Sequence, residues 1–176
     1  MLLKKLRTRN PDFHFPRSAT TRAKREGEGD DLYRFVTDAE FDALLKEGKV
    51  LEWAIVHGGA RYGTLLEEIV PAIEQGKTVI REVDVQGFES IRAHSLFAAG
   101  TAKFPLQSIF ILPESREQLI SHITKRAPIA GEELNRRIAS MEKEMGFADL
   151  CDAKIVNKEG KLPVTLTELQ RVIGGK

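Results

Sequence analysis

Two arginines three residues apart, Arg22 and Arg25, share the stretch Ser18-Ala19-Thr20-Thr21-Arg22-Ala23-Lys24-Arg25 with three hydroxyls, directly after an apolar run of strand character. Guanidinium groups meet phosphate oxygens two at a time, and hydroxyls add donors that are easily oriented, so this cluster can grip a phosphate. On local composition alone, a solvated basic loop is the commoner reading. Glu52 closes a strand-like run ten residues ahead of Tyr62-Gly63-Thr64, across the Gly-rich turn His57-Gly58-Gly59-Ala60. Tyr33 and Tyr62 are the two tyrosines of the chain, and both follow loops rich in charge or glycine, where a phenol is better placed to bond a ligand than to fill a core. Taken singly, each also reads as a half-buried aromatic with its hydroxyl in water. Glu82 and Asp84 stand at the end of the apolar run Thr78 to Val83, the usual place for ligand and metal contacts in an α/β sheet. Such a pair can hold Mg²⁺ through waters or accept from a base edge, while a helix cap explains Asp84 equally well. Lys125-Arg126 and Arg136-Arg137 flank the loop Ala127-Pro128-Ile129-Ala130-Gly131, as the hinges of a lid closing over phosphates would, or as a charged helix surface would.

The elements that must hold these residues alternate between strand-like and helical, the pattern of an α/β fold with a largely parallel sheet. Strands are expected at Lys49 to Val56, Thr78 to Val83, Ser108 to Leu112 and Lys154 to Val156. Thr37-Asp38-Ala39-Glu40 and Ser115-Arg116-Glu117-Gln118 have capping-box spacing ahead of apolar-periodic runs. Gly48 and Gly76 sit where helix ends favour positive φ. Glu132 to Leu150 puts Leu134, Ile138, Met141 and Met145 on one face and reads as one long helix. Leu2, Leu3 and Leu6 mark an amphipathic helix at the N-terminus.

The chain has 176 residues, enough for one domain with a sizeable core. With 41% hydrophobic and 30% charged residues, its composition argues against disorder, a fibrous chain and a membrane protein. A net charge of +1 provides no global field for nucleic acid or anionic lipid, so any anion site must be local. The single Cys151 can form no internal disulfide, and neither a secretory signal nor a long apolar run is present, so a cytoplasmic protein without membrane or nucleic-acid partners is expected.

In order and register, the segments SATTRAKR, LEWA, YGT, EVDVQG, SIFILP, the arginine-flanked lid and KIVN resemble the guanylate kinase family over essentially the whole chain. The resemblance implies a single domain over 1–176 with a P-loop-kinase-like parallel sheet flanked by helices, a GMP-binding subdomain over about 18–77 within 13–78, a lid over about 122–137 and the remainder as core. It places Ser18, Glu52, Thr64 and Asp84 around guanine, and Arg22, Arg25, Tyr33 and Tyr62 around the monophosphate. Arg126 and Arg137 fall on lid arginines that steady the transferring phosphoryl group, and Asn157 on the adenine side. Mg²⁺ would accompany ATP, with Glu82 as its contact through water. The activity implied is transfer of the ATP γ-phosphoryl group to GMP, giving GDP and ADP. Guanine suits Glu52 chemically, because its N1–H and exocyclic amine form a donor pair that one carboxylate accepts, whereas adenine presents a lone pair at N1.

The sequence departs from the family at several points. Glu82 replaces the usual Asp, and His122 stands where an arginine is common. The loops before Tyr33 and Tyr62 differ by a residue in length. The family's G-x-x-G-x-G-K-[ST] loop, which precedes the helix reading LLKKL here, has no counterpart. The expectation is therefore an N-terminally truncated member, its first strand and phosphate loop missing, weak toward ATP and slight in catalysis, because phosphoryl transfer rests on positioning and charge stabilisation. A catalytically inactive GMP-binding module and a gene fragment are the alternatives.

Overall fold

A computed structural model describes residues 2–56, 59–125 and 131–175. In chain order the elements are α1 (Leu2–Arg9), β1 (Ser18–Thr20), β2 (Tyr33–Phe35), α2 (Asp38–Lys46), β3 (Val50–Ile55), β4 (Arg61–Leu65), α3 (Leu66–Glu74), α4 (Val85–Ala93), β5 (Ile109–Pro113), α5 (Arg116–Thr124), α6 (Gly131–Met145), β6 (Ala153–Asn157) and α7 (Leu162–Ile173). They group into two compact units, Arg7–Leu106 and Met1–Leu6 with Gln107–Lys176. Among the described residues, no helix is long and apolar enough to cross a membrane.

The unit Arg7–Leu106 is built on a four-stranded sheet of order β2-β1-β4-β3, with β1 parallel to β2 and antiparallel to β4, and β3 antiparallel to β4. The largely parallel sheet expected from the sequence is replaced here by a mixed one. The connection between β3 and β4 is too short for a crossover, and Val56 N–H closes it onto Ala60 O at 2.9 Å as a hairpin. Thr37 and Glu40 form the reciprocal capping box that their spacing predicts, starting α2. Gly48 and Gly76 end α2 and α3 at φ of 64° and 76°, with the paired back-bonds of a Schellman turn, such as Gly76 N–H to Ile73 O and Lys77 N–H to Ala72 O. Phe41 and Leu44 of α2 pack on Ala19 and Leu65 against one face of the sheet. A second cluster gathers Leu51, Ile69, Ile91, Phe97 and Phe104, with Val79 and Val83 against it.

Among the described residues, the strand expected at Thr78 to Val83 forms only one bridge, His14 to Val79, where His14 N–H donates to Thr78 O and Ile80 N–H to His14 O, both at 2.9 Å. The next rung of a parallel ladder would need an N–H from residue 16, and Pro16 has none. Where the sequence leads to a fold deprived of its first strand, the N-terminal region forms α1 and runs through this bridge into β1, a structured part of the fold.

In the other unit, β5 and β6 pair in parallel from Ile109 with Ala153 to Pro113 with Asn157. Ser115 caps α5 through Gln118 N–H, but the Gln118 side chain does not complete a capping box. It accepts instead from Glu114 N–H and donates to Asn157 O, tying the helix start to the end of β6. Leu119 and Ile123 of α5 pack on Ile138, Leu134 and Met141 of α6. The helix expected over Glu132 to Leu150 stops at Met145, and a 3₁₀ turn over Gly146–Leu150 follows, glycine being a poor helix interior.

Candidate functional site

The strand register of Arg7–Leu106 lines up four candidate residues. Ser18 stands opposite Tyr33 on β2 and opposite Thr64 on β4, and Thr64 stands opposite Glu52 on β3, giving a row Tyr33, Ser18, Thr64, Glu52 across all four strands. Residues directly opposite share a face of the sheet. This face lies behind the one that α2 covers, since Ala19 and Gly63, each one residue along, point the other way. Ser18, Glu52 and Thr64 are 8%, 7% and 0% exposed, so a hydroxyl, a hydroxyl and a carboxylate are held in a largely dry seat. Thr64 Oγ1 donates to Glu52 Oε1. On its far side Glu52 Oε2 lies against Gly87, where an added Cβ would come within 3.1 Å. Asp84 caps α4, its Oδ1 accepting Gly87 N–H at 2.8 Å, so the carboxylate expected beside guanine fixes the helix start that abuts Glu52.

One participant belongs to none of the sequence motifs. Arg81 donates through Nη1 to Ser18 Oγ at 2.8 Å and through Nη2 to Glu52 Oε1 at 3.2 Å. The signal available was an arginine interrupting the apolar run Val79-Ile80, on the side of the extended segment opposite Glu82 and Asp84. Glu82 is exposed, as is Asp84. Among the described residues no three metal-ligating side chains come together. Asp84 Oδ1 is engaged in the α4 cap, and Glu82 lies exposed on the same side of the segment, where a carboxylate can reach a cation through water.

Two residues along the same face, Thr20 pairs with Tyr62 and with Phe35. Arg22 lies over this patch, 5.3 Å from the Tyr33 ring centre and 5.4 Å from that of Phe35, and its Nε donates to Tyr62 Oη at 3.0 Å. The two tyrosine rings meet edge to face at 5.9 Å. The phosphate candidates Arg22, Tyr33 and Tyr62 are thus one assembly, next to the row that holds Ser18 and Glu52. Arg25 enters through its backbone N–H, which donates to Glu28 Oε2 at 3.1 Å, while its side chain is exposed. Glu28 Oε1 also takes Arg22 Nη2 at 2.7 Å. This pairing raises the pKa of Arg22, with Tyr62 adding to it, and the bond from Arg22 followed by that from Arg25 N–H holds the Glu28 carboxyl below its ordinary value. Glu28 therefore sits on Arg22 as an anionic group of a phosphate would.

The remaining candidates belong to the other unit. Asn157 ends β6, and its Oδ1 accepts from Thr165 Oγ1 of α7 at 2.9 Å. Arg137 is on α6, its Nε bonded to Glu133 Oε1 at 2.9 Å, one turn away. His122 and Lys125 both approach Glu159, at 4.0 and 3.6 Å. Arg126 lies outside the described residues.

A family model for guanylate kinase matches residues 1–175. The chain belongs to the guanylate kinase family. A guanylate kinase of Nocardia farcinica is 40% identical over 156 residues, 88% of this chain and 77% of that protein. One of Bordetella pertussis is 37% identical over 173 residues, 98% of this chain and 75% of that protein. One of Helicobacter pylori is 36% identical over 90% of this chain and 73% of that protein. A crystal structure of guanylate kinase from Anaplasma phagocytophilum has the same fold, with a TM-score of 0.72 at 24% identity over 99% of this chain and 79% of that one. These matches correct the expectation of a truncated member with a missing first strand. The family match runs through the chain to residue 175, and the region from α1 to β1 belongs to the shared P-loop-kinase-like α/β fold. Guanylate kinase family membership supports a GMP-binding, kinase-like function.

Proposed function

We propose that this guanylate kinase-family chain binds GMP on the sheet face of Arg7–Leu106 and serves as the acceptor site for phosphoryl transfer from ATP, giving GDP and ADP. The observation that carries the reading is the strand register that sets Ser18, Thr64 and Glu52 in one buried row beside the Arg22–Tyr62 assembly. Glu52 accepts from guanine N1–H and the 2-amine, with Thr64 holding its Oε1 in place and the α4 cap at Asp84 backing its Oε2. Ser18 adds a hydroxyl to the base edge. Arg22, Tyr33, Tyr62 and, by loop closure, Arg25 receive the monophosphate, which replaces Glu28 on Arg22. Adenine fails twice in this seat, since its N1 lone pair faces the Glu52 carboxylate and it lacks the 2-amine.

The transfer half of the proposal rests on family membership. ATP would arrive with its Mg²⁺ held chiefly by phosphate oxygens. Arg126 and Arg137 are assigned to the phosphoryl group in flight and Asn157 to the adenine side. Titration calorimetry with GMP and AMP tests the binding half, and the expected result is a GMP preference of roughly hundredfold or more, the scale set by unpaired buried polar groups. Equal affinities would overturn the guanine assignment. A coupled ATP-to-GMP phosphotransfer assay tests the other half. Binding of GMP without turnover would reduce the proposal to a GMP-binding module.

A further inference from the structure

Guanine presents an acceptor followed by two donors along its pairing edge, O6, N1–H and the 2-amine. Glu52 complements the donors. The complement to O6 must be a donor next to Glu52, and the structure holds one there that neither the sequence motifs nor the family comparison singled out. The Arg81 guanidinium lies between Ser18 Oγ and Glu52 Oε1, at 2.8 and 3.2 Å. Its side chain is 21% exposed and that of Glu52 6%. Among the described residues its Nε is buried with no hydrogen-bond partner. A guanidinium has five donors in a fixed plane, and Nη1 and Nη2 each spend one on Ser18 and Glu52, so this partly exposed group keeps a donor for an acceptor set beside them. Resting on the GMP reading above, we infer that Arg81 is a specificity residue that reads the purine O6, together with the Ser18 hydroxyl it orients. The edge of the base is then met in order, donor from Arg81 and Ser18, acceptors from Glu52. Adenine would set its 6-amine against the Arg81 donors as well as its N1 lone pair against Glu52. The ligand class follows, namely 6-oxopurine nucleotides, with Glu52 distinguishing guanine from hypoxanthine through the 2-amine and Arg81 distinguishing both from adenine.

The test separates reading O6 from merely bracing Glu52. Calorimetry is run on wild type, Arg81→Leu and Arg81→Lys with GMP, IMP and 6-thio-GMP, in which a sulfur that accepts hydrogen bonds poorly replaces O6 while N1–H and the 2-amine remain. Arg81→Leu is expected to weaken GMP and IMP alike by roughly ten- to hundredfold, the scale of a charge-assisted hydrogen bond, and 6-thio-GMP by less than about threefold. Arg81→Lys, which keeps the charge and most of the stem, is expected to show the same pattern at smaller amplitude, and decides the matter if Arg81→Leu does not fold. Equal losses on GMP and 6-thio-GMP, or no loss on either, overturn the role for Arg81. A wild type that prefers GMP to AMP but shows such uniform losses sinks this inference alone. A wild type indifferent between GMP and AMP sinks the GMP reading and this inference with it.

Discussion

Glu28 is the residue whose charge state is most informative. Its carboxylate takes Arg22 Nη2 and Arg25 N–H, and its pKa is lowered from an ordinary 4.5. A carboxyl whose folded pKa lies below its unfolded value stabilises the fold fully above the unfolded value, and that contribution is lost as pH falls through the folded one. Both partners are solvent-accessible, so the effect is a modest one. Urea midpoints of wild type and Glu28→Gln are expected to differ near neutrality and to converge as pH falls below 4.5 and on through the lowered folded value. A gap that persists unchanged into that acid range would show that the carboxylate charge is not what holds Arg22. At this scale the sequence was informative wherever a residue type matched a chemistry in a recognisable string, as with Ser18, Glu52, Tyr62 and Thr64, which the register brings onto one face, and with Arg22, which reaches that face by bonding Tyr62. It was silent on Arg81 and Glu28. Both act through pairs 29 and 6 residues apart, and neither separation leaves a local pattern.

Strand register does at the level of elements what no single side chain does, and Gly63 shows how tightly it is set. A Cβ there would lie 3.0 Å from the Glu52 carbonyl oxygen, 3.1 Å from Phe41 Cζ and 3.1 Å from Trp53 Cβ. The glycine lets Phe41 of α2 seat against the back of the very strands that carry Thr64 and Glu52. Gly63→Ala is expected to cost about 1–3 kcal/mol, as overpacked sites do, read as a lower urea midpoint at unchanged slope. An unshifted midpoint would mean that Phe41 is not anchored on this strand pair. Helix boundaries were legible because capping boxes and C-terminal glycines are local chemistry: Thr37, Gly48 and Gly76 fall where their spacing puts them. The three-residue strands β1 and β2 were not, since so short a run has no periodicity to read. The Thr78 to Val83 strand failed through a partner distant in sequence, because the residue that should donate the next N–H is Pro16, which has none.

Across the whole molecule, every residue assigned to GMP lies in Arg7–Leu106, whereas Arg137 and Asn157 lie in the unit that contains β5 and β6. Ligand binding should therefore leave a localised imprint. Saturation with GMP at about a hundred times Kd can add up to about 2.7 kcal/mol of protection against opening reactions that abolish the site. Hydrogen exchange is expected to slow in β1, β3 and β4 on adding GMP, and to stay unchanged in α7. Uniform slowing across the chain, or the same response to AMP, would contradict a site confined to that sheet face. The family pattern was readable at this scale because its motifs keep their order along the chain, while the division into two units, a matter of which contacts form, was not. One side chain gives that sheet face an optical readout. Trp53, the sole tryptophan, follows Glu52 on β3, points to the opposite face against Phe41, and is 41% exposed. The reading strand thus has an indole lamp on its back. Its emission can follow titration without any dye, and because the sheet separates indole from purine, a change in colour or brightness would measure the strand flexing rather than a base stacking on the ring.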